Sequence, residues 1–157
     1  DPKEHTSEEQ LESWENTKAK ERKSLNFQSL MDDIALTLPA LMRSQKIQKR
    51  ASRVGFDWNS IEGYFAKIEE EINELKKAIE NKDKINIEEE IGDMLMILTN
   101  LSRHLKVDAE TALDKSNRKF EKRFRYIENE LKKDGKTPND SSLEEMDKLW
   151  DEAKLIN

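Results

Sequence analysis

The chain has no cysteine in its 157 residues, which excludes disulfides, thiolate nucleophiles and cysteine-ligated zinc. Glycine and proline are scarce, at 4 and 3 residues. No apolar run approaches the roughly 20 residues that a membrane span needs, and no signal-peptide pattern precedes the first helical segment. A glycine-rich phosphate loop, a Rossmann fingerprint and a Ser-His-Asp arrangement are all missing. The two histidines, His5 and His104, do not supply the Glu-x-x-His pairs of a di-iron bundle, and His104 reads as an ordinary helix-end residue.

What remains is charge in a regular pattern. Charged residues make up 39% of the chain and hydrophobic residues 34%, a mix suited to long amphipathic helices with wet outer faces. The periodicity is too regular for a disordered chain. A length of 157 residues fits about one domain with a modest core, and a second copy is expected to complete it. The net charge of −6 argues against a duplex DNA or RNA binder but leaves room for a small phosphate ligand beside a bound cation. A cytoplasmic location and no membrane partner are expected. The start at Asp1-Pro2, without Met, fits an excised domain.

Hydrophobic spacing predicts helices throughout and no strand. Residues 1–8 are expected to fray. Glu9–Lys23 reads as a polar helix with a thin apolar face (Leu11, Trp14), and Leu25–Leu38 keeps helical spacing through Phe27, Leu30, Met31, Ile34 and Leu38. Pro39 opens a helix over Ala40–Arg53 that stops near Gly55. Asn59 and Glu62 fit the start of the next helix, whose stripe is Ile61, Phe65, Ile68, Ile72, Leu75 and Ile79. After a break at Asn81–Asp83 comes Lys84–Leu105, with Ile87, Ile91, Met94, Leu95, Leu98, Leu101 and Leu105 on its apolar side. Asp108 caps Ala109–Lys133, which is expected to bury Ala112, Leu113, Phe120, Phe124, Ile127 and Leu131. A polar loop over Asp134–Ser141 leads to a helix opened by Ser142 and Glu145, with Leu143, Met146, Trp150 and Ala153 inward. The expected fold is all-α, a four-helix-type bundle core with flanking N- and C-terminal helices. Residues 1–26 form an arm and 27–157 the functional domain.

Two acidic pairs, Glu71–Glu74 and Glu90–Asp93, lie on consecutive helices. A spacing of three puts both carboxylates of a pair on one side of a helix. Each pair borders an apolar stripe, and the short connection makes the helices antiparallel, so all four groups can converge. Four like charges in one place repel unless a cation sits among them, and ligands that are all oxygen point to Mg²⁺ or Mn²⁺. Gly92 costs helix stability, about 1 kcal/mol against Ala, and fits a neighbour coming close there. Lys119 and Arg123 share one face of the following helix. Arg123 points inward and needs an anion, either a carboxylate or a ligand phosphate. Arg118 and Lys122 read as solvated charges. Trp150 and Lys154 repeat the spacing of four, although core packing and a helix-end cation are the simpler readings. Trp58 either stacks on a base or plugs the bundle end.

The chain resembles MazG, a nucleoside triphosphate pyrophosphohydrolase of the all-α NTP pyrophosphatase superfamily. The resemblance rests on Glu70-Glu71-Ile72-Asn73-Glu74 followed by Glu90-Ile91-Gly92-Asp93, on Leu38–Lys49 with Val54–Trp58, and on Asn100–Leu105, Asn117–Phe120 and Leu143–Trp150. It covers about residues 9–155 and is a similarity to the C-terminal, catalytic domain of the two-domain bacterial proteins plus the helix leading into it. It implies Glu71, Glu74, Glu90 and Asp93 as metal ligands, with Lys119 and Arg123 on the substrate phosphates. Trp150 and Lys154 would complete the nucleotide site, with Trp58 a further candidate contact. It also implies a homodimer or higher assembly and hydrolysis of nucleoside triphosphates to monophosphate and pyrophosphate. Alternatives are a selective dUTP- or dCTP-type pyrophosphatase, a non-catalytic Mg²⁺-binding regulatory module, and a charged structural bundle in which acids and Arg123 merely pair.

Overall fold

A computed structural model describes residues 6–24 and 28–156, with the backbone alone for 22–24. Every helix or strand among them is helical: α1 (Ser7–Ser24), α2 (Ala40–Arg53), α3 (Ile61–Glu80), α4 (Lys84–His104), α5 (Ala109–Lys133) and α6 (Leu143–Leu155). A 3-10 turn, Pro138–Asp140, precedes α6. None of the helices is long and apolar enough to cross a membrane. The chain divides into two compact units, one up to Lys106 and one from Val107.

In the first unit α3 and α4 form an antiparallel hairpin. Asn81 ends α3, and Lys82 turns the chain at φ 53°. Asp83 then caps α4 by accepting from the Asn86 N–H at 3.2 Å, which offsets one of the unpaired donors of a helix start. The buried line of α3 is Tyr64, Glu71 and Ala78, two turns apart each time. The stripe expected from sequence lies beside that line: Phe65 and Ile79 are about half exposed. On α4 the buried residues are Ile97 and Thr99, while Ile91, Leu95, Leu98 and Leu105 stay about half exposed. Within this unit part of the stripe expected from spacing thus stays exposed.

Helix α2 lies on α4 through a polar seam. The Thr99 hydroxyl donates to the Met96 carbonyl at 2.8 Å. Its single hydrogen is then used, so the Ser44 hydroxyl is the donor in the 2.8 Å Ser44–Thr99 bond. Gln48 Nε2 donates to Ser44 Oγ at 2.7 Å and to the Met96 carbonyl at 3.2 Å. The chain leaves α2 through Gly55 at φ 86°, a left-handed conformation that glycine adopts without penalty.

The next segment is tied down by Asp57. Its carboxylate accepts from Arg103 at 2.6 Å, from the buried Tyr64 hydroxyl at 2.9 Å and from the Trp58 N–H at 2.9 Å. Burial pushes the Asp57 pKa up, but the Arg103 and Tyr64 hydrogen bonds and the Arg103 charge outweigh it and hold the group below the usual carboxylate range. A depressed pKa means that this contribution is present above about pH 4 and is lost as pH falls through the folded value. Asp57→Asn leaves Arg103 without its counter-charge. It is expected to cost about 2–3 kcal/mol, measured as a lower urea midpoint at neutral pH, with a difference from wild type that shrinks as pH falls below about 4.

Several expectations shift. Leu25, Asn26 and Phe27 lie outside the described residues, as do 1–5. Residues 28–38 form turns rather than a helix. Arg50 holds them, donating to the Leu30 and Asp32 carbonyls at 3.0 and 2.8 Å and pairing with Asp33. The cap of α3 is Ser60, not Asn59.

In the second unit α5 and α6 pack together, with Ile127, Leu131 and Ala153 buried. The expectation for Ala112, Leu113 and Phe120 is corrected: residues 111–120 are all exposed, Phe120 although its ring touches Trp150 of α6. Leu143, expected inward, is also exposed. Asp108 and Ser142 do cap their helices. The Glu145 carboxylate accepts from Ser141 Oγ at 2.7 Å.

Candidate metal centre

The α3–α4 hairpin brings Glu71, Glu90 and Asp93 together, one carboxylate oxygen of each lying within 4.8 Å of the others. The antiparallel pairing sets the heights of these residues, and the spacing of three aims Glu90 and Asp93 the same way. Glu71 is 7% exposed, and Lys67, one turn earlier on α3, pairs with it at 3.3 Å. Sequence reasoning missed Lys67, although its i,i+4 offset from Glu71 was a usable signal. Glu74 stands outside the group; its nearest cation is Lys77 at 3.5 Å.

The electrostatics fit a cation. Glu90 has its pKa raised to about 7, first by a shared hydrogen bond with Glu71, then by burial, then by the charges of Glu71, Asp93 and Glu74. Two carboxylates share a proton only where like charges are forced together. Glu90 Oε2 is also buried without a hydrogen-bond partner. An orphaned buried oxygen facing two further carboxylates is the donor set that a hard divalent ion takes up. A Cβ at Gly92 would meet nothing within 4 Å, so the expected close approach of a neighbouring helix is not found among the described residues. His104 takes no part, packing on the Tyr64 ring with centroids 5.2 Å apart.

Trp58 packs edge-on to Tyr64 with centroids 4.7 Å apart. A Cβ at Gly63 would lie 3.0 Å from its ring, so glycine there is what admits the indole.

The other candidate residues belong to the second unit. Arg123 is half-buried and lies over the Trp150 ring, 5.4 Å from its centroid. Trp150 also packs on Phe120, and Phe120 stacks on Phe124. Lys119 is exposed, and Lys154 pairs weakly with Asp151 at 3.5 Å. Lys119, Lys122, Arg123 and Arg125 line one hollow with Tyr126 and Asn129; the outward, solvated Lys122 of the sequence reading is thus part of a concave surface.

A helical hairpin that gathers carboxylates around a cation-sized point, in a chain with no sheet among the described residues, defines an all-α, metal-binding class in which helix faces rather than loops carry the chemistry. The family profile described as the MazG nucleotide pyrophosphohydrolase domain matches residues 59–127, which contain all of Glu71, Glu74, Glu90 and Asp93. The chain is 45% identical over 141 residues to the nucleoside triphosphate pyrophosphohydrolase/pyrophosphatase MazG of Thermotoga maritima, covering 90% of this chain and 54% of that protein. It is 43% identical over 150 residues to the nucleoside triphosphate pyrophosphohydrolase of Escherichia coli K12, covering 94% and 57%. To the uncharacterized protein YabN of Bacillus subtilis it is 41% identical over 145 residues, covering 92% and 29%. Residues 59–127 thus form a MazG-family nucleotide pyrophosphohydrolase domain, of the all-α NTP pyrophosphatase superfamily. The chain spans about half the length of the first two relatives.

Proposed function

We propose that this chain hydrolyses nucleoside triphosphates between the α and β phosphates, releasing a nucleoside monophosphate and pyrophosphate. The observation that carries the reading is the Glu71–Glu90–Asp93 cluster with its buried, unpartnered oxygen, inside the stretch that matches the family profile. The names of the T. maritima and E. coli relatives support the substrate class.

In the proposed reaction a water oxygen attacks the α-phosphorus. The bond from that phosphorus to the oxygen bridging to the β-phosphate breaks, and its electron pair leaves with pyrophosphate. Mg²⁺, with Mn²⁺ as a substitute, is the ion assigned to Glu71, Glu90 and Asp93, where it would polarise phosphate oxygens and offset their charge. Glu71 is tied to Lys67 and Glu90. Glu74, outside the cluster, is therefore the carboxylate assigned to orient the water and take its proton. Lys119 and Arg123 hold the phosphate tail and stabilise the leaving pyrophosphate. Trp150 and Lys154 complete the nucleotide contacts. The catalytic portion is taken as residues 27–157, with 1–26 as an arm.

A second copy of the chain is the proposed cover for the half-exposed apolar residues of α3 and α4, among them Phe65, Ile79, Ile91, Leu95 and Leu98. Leu95→Glu is expected to turn a dimer into a monomer, read as a halved mass by light scattering.

The reading is tested with eight ordinary ribo- and deoxyribonucleoside triphosphates in Mg²⁺, with products identified. Monophosphate plus pyrophosphate supports it, and the spread of rates separates a broad enzyme from a dUTP- or dCTP-selective one. Diphosphate plus orthophosphate, or no turnover of any of the eight, contradicts it.

A further inference from the structure

Lys67 stands one turn before Glu71 on α3, and its ammonium nitrogen lies 3.2 Å from a Glu70 oxygen and 3.3 Å from a Glu71 oxygen. Glu70 is the outer partner, with 60% of its side chain exposed, and would alone satisfy an ordinary surface lysine. The second contact is of another kind. Glu71 belongs to the buried line of α3. Lys67 precedes it by four residues, which is the weaker order for an ion pair on a helix. What draws the ammonium inward is the charge beside Glu71: Glu90 and Asp93 each offer an oxygen within 4.8 Å of the one that Glu71 offers. Neither of those two carboxylates has a cation within 4 Å among the described residues, and Lys77 is turned to Glu74 at 3.5 Å. Lys67 is thus the one described cation that touches the cluster, and it does so on a flexible four-carbon stem.

We propose that Lys67 is the counter-cation of the Glu71–Glu90–Asp93 cluster: it steadies the Glu71 carboxylate and, by competing for it, holds the cluster's affinity for a divalent ion down. Lys67 is no ligand itself. It is a positioning residue that acts through Glu71. Two cations that share one carboxylate repel each other, and the ammonium already neutralises part of the charge that a divalent ion draws on. Glu70 gives the ammonium a second resting place. It lies 3.2 Å away on the exposed side, so Lys67 can yield Glu71 and keep an ionic partner. The competition therefore weakens ion binding without forbidding it. The proposal rests on the cation reading of the cluster, and the experiment separates the two.

Titration of the whole chain with Mn²⁺ in the absence of nucleotide, followed by the paramagnetic resonance of the free ion, provides the test. Lys67→Gln removes the charge, and Lys67→Arg keeps it. Lys67→Gln is expected to bind Mn²⁺ more tightly than the wild type, on the order of tenfold. Lys67→Arg is expected to bind it about as the wild type does. In chelator Lys67→Gln is expected to melt below the wild type, because the three carboxylates then face one another without a counter-charge. A purely structural ion pair would lower the melting temperature and leave the Mn²⁺ affinity where it was. Mn²⁺ affinity that is unchanged or weaker in Lys67→Gln overturns the proposal. A gain of equal size in Lys67→Arg also overturns it, since the effect would then follow the shape of the side chain and not its charge. Unchanged affinity in Lys67→Gln, with Mn²⁺ binding still lost in Asp93→Asn, defeats this inference and leaves the metal reading standing. Equal Mn²⁺ binding by the wild type and Asp93→Asn defeats the metal reading, and the role of Lys67 falls with it.

Discussion

Asp93→Asn is expected to lower Mg²⁺-dependent nucleotide turnover on the order of 10²-fold or more while leaving the fold intact. The magnitude follows from the design proposed for the site, in which stabilisation of developing charge carries the reaction and no covalent intermediate shares the load. Asp93 is one of three carboxylates converging within 4.8 Å, and its charge is among the causes that raise the Glu90 pKa. Removing that charge relieves repulsion, so the variant's melting temperature in chelator is expected to equal or exceed that of the wild type. Lost activity together with retained or increased stability is what a cation ligand produces. A carboxylate whose role is structural pairing would show the reverse, with stability lost.

Glu90 carries the second large expected effect. Its folded pKa of about 7 lies above the ordinary carboxylate value of 4.5, so the folded state binds a proton that the unfolded state has released between those values. Without a divalent cation, the stability tied to that proton is fully present below about pH 4.5 and is lost as pH rises to 7 and beyond. The wild type in chelator is therefore expected to melt progressively lower from pH 5 to pH 7.5 relative to Glu90→Gln, which has no proton to lose. A bound divalent cation replaces the proton, so its effect grows over the same interval. At a hundred times its Kd the ion adds about 2.7 kcal/mol, roughly 5–10 °C for a chain of this size. Glu90→Gln is expected to abolish most of that increment. A thermal scan with and without Mn²⁺ at pH 5.5 and 7.5 reads both slopes. An increment that is equal at the two pH values, or that survives Glu90→Gln, contradicts the assignment of Glu90 as a ligand.

The features that sequence carries well are those decided within a few residues. Asp83, Asp108 and Ser142 stand where short polar side chains can accept from freed backbone N–H groups, and all three do so. The bounds of α2 and α5 follow from the same punctuation. Convergence of Glu71, Glu90 and Asp93 was legible because helical spacing and one short turn fix both angle and height. Glu74 shows where that argument ends: spacing places a Cβ, but the carboxylate at the end of a longer side chain settles near Lys77. Rotation of α3 was not legible either. Its stripe counted Phe65 and Ile79 as core, whereas Tyr64 and Ala78 are the residues buried against α4. The polar seam of Ser44, Gln48 and Thr99 escaped notice because isolated hydroxyls and amides look like surface residues until they find one another. Gly63 makes room for Trp58, a contact between a connecting segment and a helix that spacing does not show.

A crystal soaked in Mn²⁺ and measured for anomalous scattering tests the central claim most directly. The account predicts a peak bounded by Glu71, Glu90 and Asp93, lost in Asp93→Asn. A chain that cleaves nucleotides in Mn²⁺ yet shows no peak among those carboxylates, or shows it on another set of residues, would contradict the account.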